Sequence, residues 1–345
     1  MHILLRIHEL RNNGAVYALL HYAEHLAASG HRVVLSVPAG GSPALRERFL
    51  AAGVAIDHDT DLDLAGFDVA IVSTILNGAD VEALSRAMPV VWSITERRQP
   101  AWDDPPGRLR QLFSCATKIV FPAYWLVYEY ADILSVSAPY LADVVPIGFK
   151  PVAYPPREAR DDGVFRILCV GSLYPRKRQI DLINAVRMLN DPLVHCLFVG
   201  DTYAVGAADL SYARKNPQQF TFINPGERAE LQAVYRECDI FALPSEDETF
   251  GMSAIEAGQA ELPVVVSDLP TYRYIWQDGR NALVYPVGDV PALARCIKRL
   301  KDDPELRREL GRRARNVAQC LSFEAYARRF DATLADAIAR SGSGR

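Results

Sequence analysis

The chain alternates twice between short apolar runs and longer helical patterns, and that alternation confines it to parallel sheets covered by helices. Ile3–Ile7 reads as the first strand. A turn follows at Asn12-Asn13-Gly14. Val16, Leu19, Leu20, Ala23 and Leu26 then share one helical face, which ends at Ser29-Gly30. Further strands are expected at Arg32–Val37, Asp68–Ser73, Val90–Ile94 and Lys118–Phe121, with helical stretches such as Ala44–Ala52 and Val81–Ala87 between them. Apolar runs divided by helices in this way belong to strands buried on both faces.

The pattern breaks once. Val145-Pro146-Ile147-Gly148 is followed by Pro151, Pro155 and Pro156 and then a charged stretch to Gly163. Prolines this dense continue neither a helix nor a central strand, so 151–163 reads as an interdomain linker. The alternation then restarts. Strands are expected at Phe165–Val170, Val194–Gly200, Phe220–Ile223, Asp239–Leu243 and Pro263–Ser267, and helices at Gln179–Leu189, Ala229–Glu237 and Met252–Gln259. The expected organisation is a Rossmann-like domain over 1–150, a second over 164–321, and a C-terminal helix and tail over 322–345 that packs back on the first domain. A length of 345 residues suits two domains of ordinary size. Ligands of open α/β sheets bind beyond the carboxyl ends of the strands, and two such domains place the natural site in the cleft between them.

Charge narrows the function. The net charge is −4, and residues 1–150 hold 12 basic and 16 acidic side chains against 26 of each in 151–345. A nucleic-acid protein needs a basic excess to neutralise phosphate, so nucleic acid is not an expected partner. The six cysteines, Cys115, Cys169, Cys196, Cys238, Cys296 and Cys320, include no C-x-x-C pair, so neither a structural zinc site nor a disulfide scaffold is expected. The first apolar stretch is short and broken by Arg6, and no run approaches the ~20 apolar residues of a membrane span; a cytoplasmic location is the expectation.

Nucleotide-binding glycine loops of the G-x-G-x-x-G and G-x-x-x-x-G-K-[ST] kinds are absent, as are H-E-x-x-H and G-x-S-x-G. The informative segment is Phe241-Ala-Leu-Pro-Ser245, Glu248, Phe250-Gly251-Met252-Ser253 and Glu256-Ala257. A buried strand ends, a loop carries an acid, a glycine permits close backbone approach, and a helix begins near Met252. The first amides of that helix form an anion site suited to a diphosphate. Carboxylates at Glu248 and Glu256, on either side of the helix start, suit vicinal diols such as a hexose or a ribose. An ordinary first-turn acid is the other reading of Glu256.

These residues, with Pro263-Val264-Val265, resemble the E-x7-E signature of retaining glycosyltransferase family 4. Val170-Gly171-Ser172-Leu173…Arg176-Lys177 resembles that family's diphosphate loop, and Phe222-Ile-Asn224-Pro-Gly226 with Glu230-Leu231, Tyr235 and Cys238-Asp239 resembles its base-binding stretch. Asn13-Gly14-Ala15 is similar, more weakly, to its Gly-Gly loop. The resemblance implies an α/β chain of GT-B fold: two Rossmann-like, doubly wound parallel-sheet domains facing a central cleft. It implies Lys177 and Glu248 as catalytic groups. Donor-binding residues would be Gly14, Ser172, Arg176, Lys177, Asn224, Glu248, Phe250, Gly251, Met252, Ser253 and Glu256. The donor would be a nucleotide-diphosphate sugar, with no cofactor and no metal. Lys177 also reads as a surface lysine of a basic turn, and Asn224 and Gly226 as plain turn residues. Ser172 stands where the family has an arginine, and Thr249 and Glu261 stand where it has glycines. Thr95 or Glu96 occupies the place of a histidine that many members carry.

On the acceptor side the candidates are His8, Asn13, Thr95 and Glu96, with a structural role the alternative for His8. The helix over 15–29 carries no Lys or Arg and the first domain is acidic, so membrane association is not favoured and a saccharide or small-molecule acceptor is expected. The aromatics of 121–140 suit either a sugar platform or the core. The whole reads as a retaining hexosyltransferase; an epimerase of the same fold, or a non-catalytic binding subunit, are the alternatives.

Overall fold

The computed structural model describes residues 1–345 except 12, 39, 59–62, 100–101, 103–106, 138–140, 159, 201–209, 224–227 and 343–345. The chain divides into two compact units, Met1–Gly148 with Phe323–Arg345, and Phe149–Ser322.

Unit 1 begins with β1 (His2–Arg6), α1 (Gly14–Ala28), β2 (Arg32–Ser36), α2 (Pro43–Ala51), β3 (Ala55–Asp57), β4 (Val69–Ser73) and α3 (Gly78–Leu84). It continues with β5 (Val90–Ser93), α4 (Arg108–Cys115), β6 (Lys118–Phe121), α5 (Tyr124–Glu129), α6 (Ala131–Ser137) and β7 (Ala142–Val144). All its strand pairs are parallel, in the order β3-β2-β1-β4-β5-β6-β7. Alternate residues of β1 serve opposite faces: Ile3 and Leu5 join a core with α1, while Leu4 joins one with Trp92, Phe113 and Tyr130. Local chemistry sets the helix starts. Asn13 accepts from the Val16 amide at 3.0 Å to cap α1, and Ser42 caps α2 with Pro43 behind it.

Unit 2 holds β8 (Phe165–Val170), α7 (Gln179–Leu189), β9 (Val194–Val199), α8 (Ser211–Lys215), β10 (Phe220–Ile223), α9 (Arg228–Glu237) and β11 (Ile240–Leu243). It ends with α10 (Met252–Gln259), β12 (Val264–Ser267), β13 (Leu283–Tyr285), α11 (Val290–Asp302) and α12 (Pro304–Cys320). Its sheet is parallel, in the order β10-β9-β8-β11-β12-β13. The proline-rich segment read as a linker lies against this unit. The Tyr154 hydroxyl donates to the Glu256 carbonyl at 3.0 Å, Arg157 donates to the Cys238 carbonyl, and Arg160 pairs with Asp239 at 2.7 Å.

The last helix, α13 (Phe323–Gly342), returns to unit 1. Phe330 and Tyr326 pack on Tyr22 with ring centroids 4.5 and 5.7 Å apart, and Tyr22 and His25 both reach Asp331. Buried Lys118 bridges Asp143 at 3.0 Å and Asp336 of α13 at 2.9 Å. The three-residue strands β3, β7 and β13 carry no alternation long enough to show in sequence, and all three lie at sheet edges.

Candidate functional site

In each sheet the strand order reverses direction at one place, where loops leaving adjacent strands diverge to opposite faces and open a crevice. In unit 2 that place lies between β8 and β11. The loop after β8 carries Gly171, Ser172 and a single 3-10 turn, Pro175–Lys177; the loop after β11 carries Ser245 to Gly251.

The two loops are bound to each other. The Lys177 ammonium pairs with the Glu248 carboxylate, which also accepts from the Ser245 hydroxyl at 2.7 Å. Arg176 donates to the Asp247 carbonyl at 3.0 Å and lies 4.0 Å from Glu248, and its own carbonyl accepts from the Glu246 amide at 2.8 Å. Arg178, in left-handed backbone at φ 49°, is clamped by Asp181 at 2.7 Å and Glu246 at 2.9 Å. Those carboxylates hold its guanidinium above its ordinary range. Glu248 is buried, so its charge is stabilised by Lys177 and Ser245 rather than by water. Behind the pair, burial pushes the Cys169 thiol up to about 12, which makes it inert.

Gly251 caps α10 in left-handed backbone at φ 73°. A Cβ there would lie 2.5 Å from the Tyr272 ring, so the tight turn into the helix has room for glycine only. Met252 and Ser253 open the helix, half-buried, with their amides at its positive end. The Phe250 ring is core, stacked on Phe149 at 6.4 Å; only its backbone can serve a ligand. Glu256 accepts from the Tyr235 hydroxyl at 3.2 Å. The Ser172 carbonyl accepts from buried Gln179 at 3.1 Å, which fixes the first loop. Asn224 and Gly226 lie outside the described residues. Ser245 and Tyr235 lie in segments the sequence singles out, whereas Gln179 and Tyr272 support this site through packing and long-range bonds, for which a single sequence carries no periodic signal.

One family departure has a local structural account. Glu261 takes a left-handed conformation at φ 60° and pairs with Arg315, at a position where glycine meets no strain. At Thr249 the backbone carbonyl accepts from Thr271 at 2.8 Å, a bond glycine would make as well, so the threonine there has no structural explanation.

In unit 1 the reversal lies between β1 and β4. His8 Nδ1 lies 3.0 Å from Thr74 Oγ1. Glu96 Oε2 accepts from the Ile75 amide at 3.0 Å and the Thr95 amide at 3.1 Å, and Oε1 accepts from the Thr95 hydroxyl at 2.9 Å. Burial raises the Glu96 carboxyl above the usual range despite these bonds. Asn13 is occupied as the α1 cap, and Gly14 is the first residue of that helix. Of the aromatic stretch, Phe121, Trp125 and Tyr130 are core, Tyr124 and Tyr128 are exposed, and Tyr140 lies outside the described residues. Among the described residues no group of His, Cys, Asp or Glu is placed to hold a metal, and no helix is long and apolar enough to cross a membrane.

Comparison with known proteins fits this geometry. Residues 153–317 match the model of the glycosyl transferases group 1 family. A D-inositol 3-phosphate glycosyltransferase from Corynebacterium glutamicum is 32% identical over 183 residues, 49% of this chain and 43% of that protein. One from Stackebrandtia nassauensis is 29% identical, over 53% of this chain and 44% of the relative. The matches thus span less than half the length of these relatives. Among solved structures, Anabaena HepE in complex with UDP superposes with a TM-score of 0.80 at 18% identity, covering 97% of this chain and 100% of that one. Sucrose-phosphate synthase from Thermosynechococcus elongatus superposes with a TM-score of 0.81 at 18% identity, covering 99% and 100%. The chain has the GT-B fold, and its segment 153–317 is a glycosyl transferases group 1 domain.

Proposed function

We propose that the chain is a retaining glycosyltransferase that moves a hexosyl group from a nucleoside-diphosphate sugar to a hydroxyl of a saccharide or small molecule, in the cytoplasm and without a metal. The observation that carries this reading is the junction of Lys177 with Glu248 beside the Gly251 entry to α10. It combines a cation, a buried carboxylate and the positive end of a helix at a strand-order reversal. Lys177, with Arg176, takes the charge that develops on the leaving diphosphate, and the first α10 amides share it. Glu248 receives hexose hydroxyls and Glu256 the ribose diol. The sugar C1–O bond to the diphosphate breaks as the acceptor oxygen bonds C1 from the same face. The acceptor proton passes to the departing phosphate oxygen, so no protein nucleophile is consumed.

HepE has been solved with UDP and with UDP-glucose, which makes UDP the first probe. Thermal unfolding with UDP, GDP, ADP and dTDP is expected to show a rise in Tm with one of them. Saturation at a hundred times Kd corresponds to about 2.7 kcal/mol. Lys177→Ala removes the shift but also strands a buried carboxylate, so the double variant Lys177→Ala/Glu248→Gln is the cleaner test: it restores a neutral site and still lacks the shift. If no nucleotide moves Tm, the donor assignment falls. With UDP-glucose alone, release of glucose fits the transferase, and formation of an epimeric nucleotide sugar overturns it. Transfer is expected to survive EDTA.

A further inference from the structure

Thr74 has φ 75° and ψ 150°, a region that only glycine occupies without strain and that is most hostile to a β-branched side chain. The surroundings hold it there from every side. Its amide donates to the Ser93 carbonyl at 2.8 Å, and its carbonyl accepts from Trp92 Nε1 at 2.8 Å. The next amide, of Ile75, is taken by Glu96 at 3.0 Å. Trp92 is fully buried and Thr74 is 3% exposed, so these bonds have no competition from water. A fold that needed only this backbone turn would be served better by glycine. Among the described residues, the side chain that threonine adds makes one polar contact, Oγ1 to His8 Nδ1 at 3.0 Å.

That contact fixes the His8 ring at the reversal between β1 and β4, where an open α/β sheet binds ligands. With Nδ1 held, Nε2 is the group the ring presents. Its neighbour is Glu9 Oε1 at 3.6 Å, beyond hydrogen-bond length, and Glu9 is itself engaged by Arg11 at 2.8 Å. The His8 side chain is 30% exposed, so a ligand can reach it.

We propose that Thr74 is a positioning residue: held in strained backbone by Trp92, Ser93 and Glu96, it locks the His8 ring so that Nε2 hydrogen-bonds a hydroxyl of a neutral polyol or sugar ligand of unit 1. As the identity of the acceptor's contact this rests on the transferase reading; as a binding site it stands apart from it. Glu96 takes part as the anchor of the Thr74–Ile75 turn, not as a ligand group.

The test uses the full chain with Thr74→Gly, Thr74→Ser and His8→Gln. Long-range 1H–15N spectra of the ring nitrogens, assigned by loss in His8→Gln, report the hydrogen bonding at His8 Nδ1 and Nε2. The probes are myo-inositol and methyl α-D-glucopyranoside. In the wild type Nδ1 is expected to show the shift of a hydrogen-bonded nitrogen, with Nε2 moving on addition of a probe. Thr74→Ser keeps both properties. Thr74→Gly is expected to lose the Nδ1 hydrogen-bond shift and to weaken probe binding about tenfold, the worth of one hydrogen bond, while its Tm holds or rises. A merely structural threonine would instead lose stability without touching the ring. A wild-type Nε2 that no probe moves, a Thr74→Gly ring that stays locked, or a Thr74→Ser variant that behaves as glycine would each overturn the proposal. UDP-induced shifts are measured on the same variants and are expected to be unchanged. Their absence from the wild type would sink the donor reading while leaving the His8 result standing.

Discussion

Gly251 and Tyr272 are best understood together. The glycine is required by φ 73° and by the Tyr272 ring, against which a Cβ would stand at 2.5 Å. Gly251→Ala is expected to cost roughly 1–2 kcal/mol from the left-handed backbone alone, more with the overlap, and to abolish the nucleotide-dependent rise in Tm. Among the described residues the buried Tyr272 hydroxyl meets no hydrogen-bond partner. Tyr272→Phe is therefore expected to stabilise the chain by about 1 kcal/mol in denaturant melts; a loss would mean the hydroxyl has a role this geometry does not explain. The cysteines range from exposed to buried, with Cys115 and Cys296 between. Cys320 is exposed, whereas burial pushes the thiols of Cys169 and Cys238 up to about 12 and that of Cys196 higher still. At pH 9 those three stay protonated, so iodoacetamide followed by mass spectrometry is expected to modify Cys320 first and these three only on unfolding. At this scale Glu248 and Gly251 were legible because a glycine turn and an acid at a helix start have local signatures, and Lys177 was singled out by the resemblance of its loop; the structure pairs Lys177 with Glu248. The sequence did not supply Tyr272 or Thr74, whose roles depend on what packs beside them.

At the scale of elements, α10 depends on α12. A Cβ on Gly258 would lie 2.7 Å from the Ala314 carbonyl oxygen, and one on Gly311 would overlap the Glu261 carbonyl. The two helices meet backbone to backbone, which sets the α10 axis and with it the direction of its N-terminus. Gly258→Ala and Gly311→Ala are each expected to cost about 1–3 kcal/mol, and both are expected to weaken the UDP response although neither residue is at the site. Among the described elements, the central strands and the long helices were legible because their apolar periods run for several residues. Lys118–Phe121, Gln179–Leu189 and Met252–Gln259 appear with the boundaries their sequences suggest. The short edge strands were not, since three half-exposed residues such as Ala142–Val144 carry no period at all.

At the scale of the molecule, unit 1 is closed by a helix from the far end of the chain. A chain ending at residue 322 would uncover the face where Tyr22 meets Phe330 and would take Asp336 away from buried Lys118. Such a chain is expected to bind ANS and lose the unit 1 transition, while the UDP-dependent transition of unit 2 persists in a calorimetric scan. Acid acts on the same joint. Lys118 holds the Asp336 carboxyl below its usual range, so this contribution is present above the unfolded carboxylate value near 4 and is lost as pH falls through the lower folded value. Asp336→Asn is expected to flatten that part of the pH–stability curve.

The return of α13 also has a meaning in time. On the ribosome unit 1 is begun before unit 2 and completed after it, because its final helix is made only after the whole of unit 2. At ordinary synthesis rates that interval is on the order of ten seconds or more. Throughout it the apolar surface awaiting Tyr326, Phe330 and Leu334 has no cover, while unit 2 is free to complete its own fold. The nascent chain therefore carries that exposed surface until α13 is made, after the whole of unit 2.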